Sequence, residues 1–139
     1  MHTISVGITD IGLKRSQNED NFLINDGLGL FIVADGMGGH AGGDVASAMA
    51  VLAIEETYAL GASGADGENR GSPHERLKDA IAVAGMQVYD YGQESERFKG
   101  MGTTIVAVVV EDAIATIAHV GDSRCYHWRD GQITQVTND

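Results

Sequence analysis

The spacing of apolar residues changes along the chain, and each change predicts a different secondary structure. Alternation of apolar and polar residues predicts half-buried strands, whereas apolar residues three or four positions apart predict helices. Alternating or β-branched apolar runs occur in the first and last thirds, and the helical spacing occupies the middle. Strands are predicted at Thr3–Thr9, Asn21–Ile24, Leu28–Ala34, Thr103–Val110, Ala113–Val120, Arg124–Trp128 and Ile133–Thr137.

Two helices are predicted between these groups of strands. The first begins near Asp44, a favourable N-cap residue, and runs to about Tyr58. The second begins at Ser72 with a capping box and a proline in its first turn, and it runs to about Tyr91. The glycine-rich segment 61–71 has no periodicity and is predicted to be a surface connection.

This order of elements indicates the fold class. Asn25-Asp26-Gly27 and Asp130-Gly131 are hairpin signals, and strands do not alternate with helices. The chain is therefore predicted to be α+β, with largely antiparallel sheets packed under helices and the first three strands as neighbours.

Charge and composition narrow the functional classes. The net charge of −11 argues against nucleic acid or an anionic membrane as the main partner. No run of 18 or more apolar residues occurs, so no membrane span is predicted. The single cysteine, Cys125, has no internal partner for a disulfide, which favours a cytoplasmic location.

The most informative stretch joins an apolar run to a glycine-dense loop. The run Leu28–Val33 leads to Asp35, and glycine occupies five of the eight positions from Gly36 to Gly43. Glycine lets the backbone turn sharply and present its own carbonyl and amide groups to a ligand. Carboxylate and carbonyl oxygens are the ligands preferred by Mg²⁺ or Mn²⁺, so a metal site is predicted at Asp35.

Three polar clusters are predicted to lie at strand ends: Arg15 with Asn18-Glu19-Asp20, Asp35 with the glycine loop, and Gly121-Asp122-Ser123-Arg124. Neighbouring carboxylates repel one another unless cations lie between them. An arginine beside such a site can hold phosphate oxygens with its planar guanidinium. Together these features predict metal-assisted hydrolysis of a phosphate ester.

The motifs also carry a family resemblance. Arg15-Ser16-Gln17-Asn18-Glu19-Asp20, Asp35-Gly36-Met37-Gly38-Gly39-His40, Gly102-Thr103-Thr104 and Gly121-Asp122-Ser123-Arg124 resemble, in order and spacing, the type 2C metal-dependent serine/threonine protein phosphatases, bacterial branch. The resemblance implies an antiparallel β-sandwich flanked by helices. It also implies that residues 1–139 are the amino-terminal part of a single catalytic domain, because the family's further metal-binding aspartates have no counterpart in this sequence.

Residue roles follow from the resemblance alone. It implies that Asp35 bridges two metal ions, that the Gly36 carbonyl ligates one of them, and that Arg15 holds the substrate phosphate. Glu19 and Asp20 match an acidic pair of metal ligands, and Asp122 matches an aspartate at a third metal position. The implied cofactors are two or three Mn²⁺ or Mg²⁺ ions, whose bridging water attacks phosphorus. The implied partners are phosphorylated proteins, substrates of a serine/threonine kinase.

The sequence departs from the family pattern at Met37, and two other functions are compatible with it. Met37 stands where animal members have a histidine proposed as a general acid, and a thioether cannot donate a proton. An inactive phosphopeptide- or metal-binding remnant of the fold is one alternative. A dinucleotide-binding module is the other, since Gly36-Met37-Gly38-Gly39-His40-Ala41 fits GxGxxA, although the acidic residues about 20 positions on lie in a predicted helix. Asp122 could also serve only its own turn, and Ser123 and Arg124 are predicted to be structural.

Overall fold

A computed structural model describes residues 2–38, 42–63 and 71–139 of the protein. Strands precede and follow two helices, in the predicted order, and a short 3₁₀ helix at Glu96–Phe98 follows the second. The remaining elements are β1 (Asp20–Asn25), β2 (Leu30–Met37), α1 (Gly42–Ser63), α2 (Pro73–Glu94), β3 (Gly102–Thr103), β4 (Ile105–Glu111), β5 (Ile114–Val120), β6 (Tyr126–Arg129) and β7 (Gln132–Gln135).

The strands form one large antiparallel sheet and a separate hairpin. The sheet runs in the order β1-β2-β4-β5, with β3 paired to the end of β2, and β6 pairs only with β7. Every pairing among the described residues is antiparallel. The predicted α+β class with antiparallel sheets is therefore confirmed.

The two faces of the large sheet have different surroundings. Strand alternation and register place one set of side chains against the helices and the other on the opposite side. The helix side, called the covered face, contributes to a core shared with Ile54 of α1 and Leu77 of α2. The covered face consists of Leu30, Ile32, Ala34, Ile105, Ala107 and Val109, and the open face of Phe22, Ile24, Phe31, Val33, Val106 and Val108.

The start of α2 agrees with its sequence signal, whereas the start of α1 does not. The Glu75 amide donates to the Ser72 hydroxyl over 3.1 Å, so Ser72 is the predicted N-cap. Helix α1 begins at Gly42, which places Asp44 in the first turn rather than at the cap. It also continues to Ser63, into the predicted connection, and residues 64–70 of that connection lie outside the described residues.

Strand β2 is longer than predicted, and this changes the environment of Asp35. The apolar run ends at Ala34, but the strand continues to Met37 because β3 pairs with Gly36 and Met37. The partner strand lies more than sixty residues away in sequence, so no local pattern indicates it. Asp35 therefore lies inside a paired strand, and residues 39–41 of the predicted glycine loop, including His40, lie outside the described residues.

The predicted strand Thr3–Thr9 is wrong, and so is its place beside the next two strands. The segment forms no strand, and Ile4, Val6 and Ile8 are each more than 80% exposed. Its alternation predicts which side chains share a face, but it does not supply a strand edge to pair with. The segment lies near the open face instead, where Gly7 approaches the Phe22 ring.

Helix α1 is also long and apolar enough to cross a membrane, with a mean hydropathy of 1.3 over an 18-residue window within residues 42–62. Length and composition alone are weak grounds for a span. The buried residues Ala46, Ala50, Ile54 and Tyr58 pack in the core, which is the ordinary reason for an apolar helix.

Candidate metal centre

Two predicted site residues meet across the first hairpin. Asp20 and Asp35 are directly paired in the β1–β2 register, and alternation places both side chains on the open face. Burial raises the pKa of the Asp20 carboxyl above its ordinary value, and the hydrogen bond with Asp35 and the Asp35 charge raise it further. Two carboxyl groups this close need a proton or a cation between them.

Glu19 lies beside this pair, against the start of α1. A Cβ at Gly43 would collide with the Glu19 carboxylate, so that carboxylate lies directly on the first turn of the helix. A negative charge is favourable there because the free amides of a helix start carry a partial positive charge.

Gly36 is buried, and only a glycine fits at this position because the segment before β1 and the first turn of α1 both lie against it. A Cβ at Gly36 would overlap the Gly43 carbonyl oxygen and lie 2.8 Å from the Glu19 carbonyl oxygen. The Gly36 amide donates to the Glu19 carbonyl over 3.2 Å. The absence of a side chain therefore lets β2, the segment before β1 and α1 converge beside Asp35.

Hydrogen bonds of Ser47 and Asn21 join α1 to β1 and to the segment before it. The sequence analysis did not identify either residue. The fully buried Ser47 hydroxyl donates to the Glu19 carbonyl over 2.6 Å and accepts from the Asn21 side-chain amide over 2.7 Å. The available signal was a small polar residue among the apolar residues of α1. It indicates a buried hydrogen bond but not its partner.

Arg15 lies near the acidic pair with its charge free to act on a ligand. It lowers the pKa of Asp20 electrostatically, against the raising effects of burial and Asp35. Its side chain is exposed, and it forms no ion pair within the described parts of the chain. A guanidinium in this position suits recognition of phosphate oxygens.

Asp122 is the predicted residue that the structure does not bring into the cluster. It is exposed in the loop between β5 and β6, and no contact joins its carboxylate to Asp20 or Asp35. Across residues 2–38, 42–63 and 71–139, no three His, Cys, Asp or Glu side chains converge as a ready metal site.

The residues present fit part of a site for a hard divalent cation. The Asp20–Asp35 pair supplies oxygen donors whose mutual repulsion a cation would relieve. The convergence at Gly36 brings backbone and the Glu19 carboxylate to the same place. Residues Arg15, Glu19, Asp20, Asp35 and Gly36 therefore lie in one neighbourhood, with Asp122 outside it, and their roles as ligands stay predictions.

Comparison with known proteins points to one family. The model of the family described as Protein phosphatase 2C matches residues 14–139. A putative protein phosphatase 2C-type of Streptococcus pyogenes is 41% identical over 134 residues, covering 94% of this chain and 52% of that protein. The serine/threonine protein phosphatase PstP of Mycobacterium tuberculosis is 36% identical, with 94% of this chain and 24% of that protein covered. This chain thus spans about half, or less, of these relatives.

Solved structures of serine/threonine phosphatases are also similar to this chain. The catalytic domain of the serine/threonine protein phosphatase PstP in complex with two manganese ions superposes with a TM-score of 0.79 at 35% identity, covering 94% of this chain and 53% of that one. Serine/threonine phosphatase Stp1 from Staphylococcus aureus gives a TM-score of 0.78 at 36% identity, with 95% and 52% covered.

Proposed function

Because the chain belongs to the Protein phosphatase 2C family, we propose that the protein hydrolyses phosphoserine and phosphothreonine in other proteins with the help of Mn²⁺ or Mg²⁺. The observation that carries this proposal is the facing pair Asp20–Asp35, with the charge of Arg15 acting on it. The PstP structure with two manganese ions supports a cofactor of two or more divalent ions.

Each residue of the neighbourhood has a defined task in this proposal. Asp35 and Asp20 would hold the cations, together with the Gly36 carbonyl and Glu19. When bound, divalent cations lower the pKa of water and neutralise phosphate charge. Arg15 binds and orients the phosphate oxygens of the substrate, and its guanidinium is available for that task because it forms no ion pair with any residue that the structure describes.

Met37 restricts how the leaving group is protonated. It follows Asp35 by two residues on β2, and its side chain is 53% exposed beside the site. A thioether has no proton to give. The serine or threonine alkoxide that leaves would therefore take its proton from water or from another group.

The decisive test is the hydrolysis of p-nitrophenyl phosphate and of a phosphothreonine peptide, with Mn²⁺ and with chelator. Turnover should require Mn²⁺, and Asp35→Asn should lower it at least about a hundredfold, since metal ions supply several kcal/mol of transition-state stabilisation.

Asp26→Asn is the matched control. Asp26 also precedes a glycine, but it lies in the turn at the opposite end of the same hairpin and accepts a hydrogen bond from Ser5. It should leave turnover unchanged. Mn²⁺-dependent turnover that survives Asp35→Asn would contradict the assignment.

The alternatives give different outcomes in the same experiment. Binding of Mn²⁺ or phosphopeptide without turnover would indicate a binding remnant, which the lack of a complete set of ligands within the described parts of the chain keeps open. NAD binding without metal would indicate a dinucleotide module. The antiparallel neighbours of β2 disfavour that reading, because dinucleotide sites follow a parallel strand. The kinase that supplies the substrates and the cytoplasmic location stay predictions.

A further inference from the structure

Among the described residues, Thr104 binds both the amide and the carbonyl of Asp35. The pairs Val33–Val106 and Gly36–Thr103 frame Asp35 opposite Thr104 in the register. The Thr104 amide donates to the Asp35 carbonyl over 2.9 Å, as in an ordinary ladder. The Asp35 amide, however, donates to the Thr104 hydroxyl over 3.1 Å rather than to its carbonyl.

The Thr104 carbonyl has a different partner from the Asp35 amide. It accepts a hydrogen bond from the Thr103 hydroxyl over 2.8 Å. The ladder is therefore interrupted between β3 and β4, at the position that faces Asp35. A side chain replaces the backbone as the group that fixes the Asp35 amide.

The same hydroxyl reaches the loop that carries Asp122. Thr104 is only 3% exposed, and its hydroxyl exchanges a hydrogen bond of 2.5 Å with the Ser123 hydroxyl. Gly121, with φ of +96°, packs on the other side of Thr104, where a Cβ would lie 2.8 Å from the Thr104 methyl carbon. Thus, of the two neighbours of Asp122, Ser123 is hydrogen-bonded to Thr104 and Gly121 packs against it.

We propose that Thr104 and Ser123 are positioning residues that fix the loop of Asp122 relative to Asp35, so that both carboxylates serve one metal centre. The inference rests on the proposed function, since it assigns Asp122 to the same centre although its carboxylate does not touch Asp20 or Asp35 in the structure. Neither hydroxyl touches substrate. They act through the backbone of Asp35 and the loop 121–123.

Mn²⁺ affinity, measured by titration calorimetry on the full chain, tests the link. Thr104→Val keeps the shape but removes the hydroxyl, and it should weaken binding roughly 10–100-fold, as residues that orient metal ligands typically do. Thr104→Ser restores the hydroxyl and should restore most of the affinity. Thr116→Val makes the same change in β5, outside the site, and should bind as the wild type does.

Hydrogen exchange of the Asp35 amide gives a readout that needs no metal. Thr104→Val should accelerate this exchange, whereas Ser123→Ala should leave it protected and still weaken Mn²⁺ binding, because only the loop is released. Ser123 is less buried than Thr104, so this variant also answers the question if Thr104→Val does not fold.

Two failures can be told apart. If Asp35→Asn does not alter Mn²⁺ binding, the proposed function is wrong, and the exchange measurement still reports on the link. If Mn²⁺ binding depends on Asp35 but Ser123→Ala binds as tightly as the wild type, the positioning role is overturned. Unchanged Asp35 exchange in folded Thr104→Val overturns it as well.

Discussion

On the covered face of the sheet, Leu30, Ala34 and Val109 are completely buried. On the open face, Val33 is 52% exposed to solvent and Phe22 is 39% exposed. The two sets alternate along the same strands, so sequence distance does not separate them. The helices remove one set from water and contribute most of the apolar burial. Asp20 and Asp35 lie at one end of the open face, where both residues are accessible to solvent.

Carboxylates on the covered face would be deprived of water without a compensating partner, at a cost of several kcal/mol or more. On the open face they stay close enough to interact and exposed enough to meet a ligand. Stability and chemistry are therefore divided between opposite sides of the same strands. Asp35 and Gly36 show the division in one step, because Asp35 projects to the open face and Gly36 to the covered face.

The strongest test of this division is Gly36→Ala. The added methyl group would collide with the Gly43 carbonyl in the first turn of α1, and backbone atoms cannot rotate away as a side chain can. We expect a loss of about 3 kcal/mol in the free energy of unfolding, at the upper end for overpacking. Urea denaturation followed by circular dichroism measures it.

Gly85→Ala is the control for this substitution. Gly85 lies exposed in α2 with nothing within 4 Å of an added Cβ, so alanine should stabilise the chain by about 0.4–1 kcal/mol. Equal effects of the two changes would show that the junction of β2 and α1 is not tightly packed.

A second, smaller contrast uses adjacent valines on β4. Val109 is fully buried on the covered face, and Val108 is half-buried on the open face. Val109→Ala should cost about 2 kcal/mol, from about 0.8 kcal/mol for each buried methyl group plus the cavity left behind. Val108→Ala should cost less than about 1 kcal/mol. Thermal unfolding of both variants decides, and a reversed order would mean that the open face is the better packed one.

The sequence predicts the covered side of the molecule well, because local patterns specify it. The helical spacing of Leu77, Ile81, Ala84 and Val88 predicts the buried side of α2, although Ile81 is only half-buried. Ser72 predicts the N-cap of the helix. The predicted Asp130-Gly131 turn is also confirmed, since both residues have positive φ between β6 and β7. Each of these signals lies within a few residues of what it predicts.

The open side depends on distant partners and is predicted less well. The alternation in Thr3–Thr9 suits a strand, but no strand of the described residues pairs with it. Motifs place Arg15, Glu19, Asp20 and Asp35 together, yet they do not indicate that Ser47 and Thr104 hold the backbone around them. Those two residues act from 28 and 69 positions away, and their hydroxyl partners follow only from the tertiary structure.

The smallest expected effect concerns the cysteine beside the open face. Cys125 helps to line a cleft of about 720 Å³ between the residues 3–8 and the open face. Burial raises the pKa of its thiol above the ordinary value, so less of the reactive thiolate is present at mildly alkaline pH. Ellman's reagent should therefore modify the folded chain, but more slowly than the urea-unfolded chain, and a single cysteine makes the signal unambiguous. Equal rates would show that the cleft does not shelter the thiol, whereas complete protection would show that the open face is covered as tightly as the helix side.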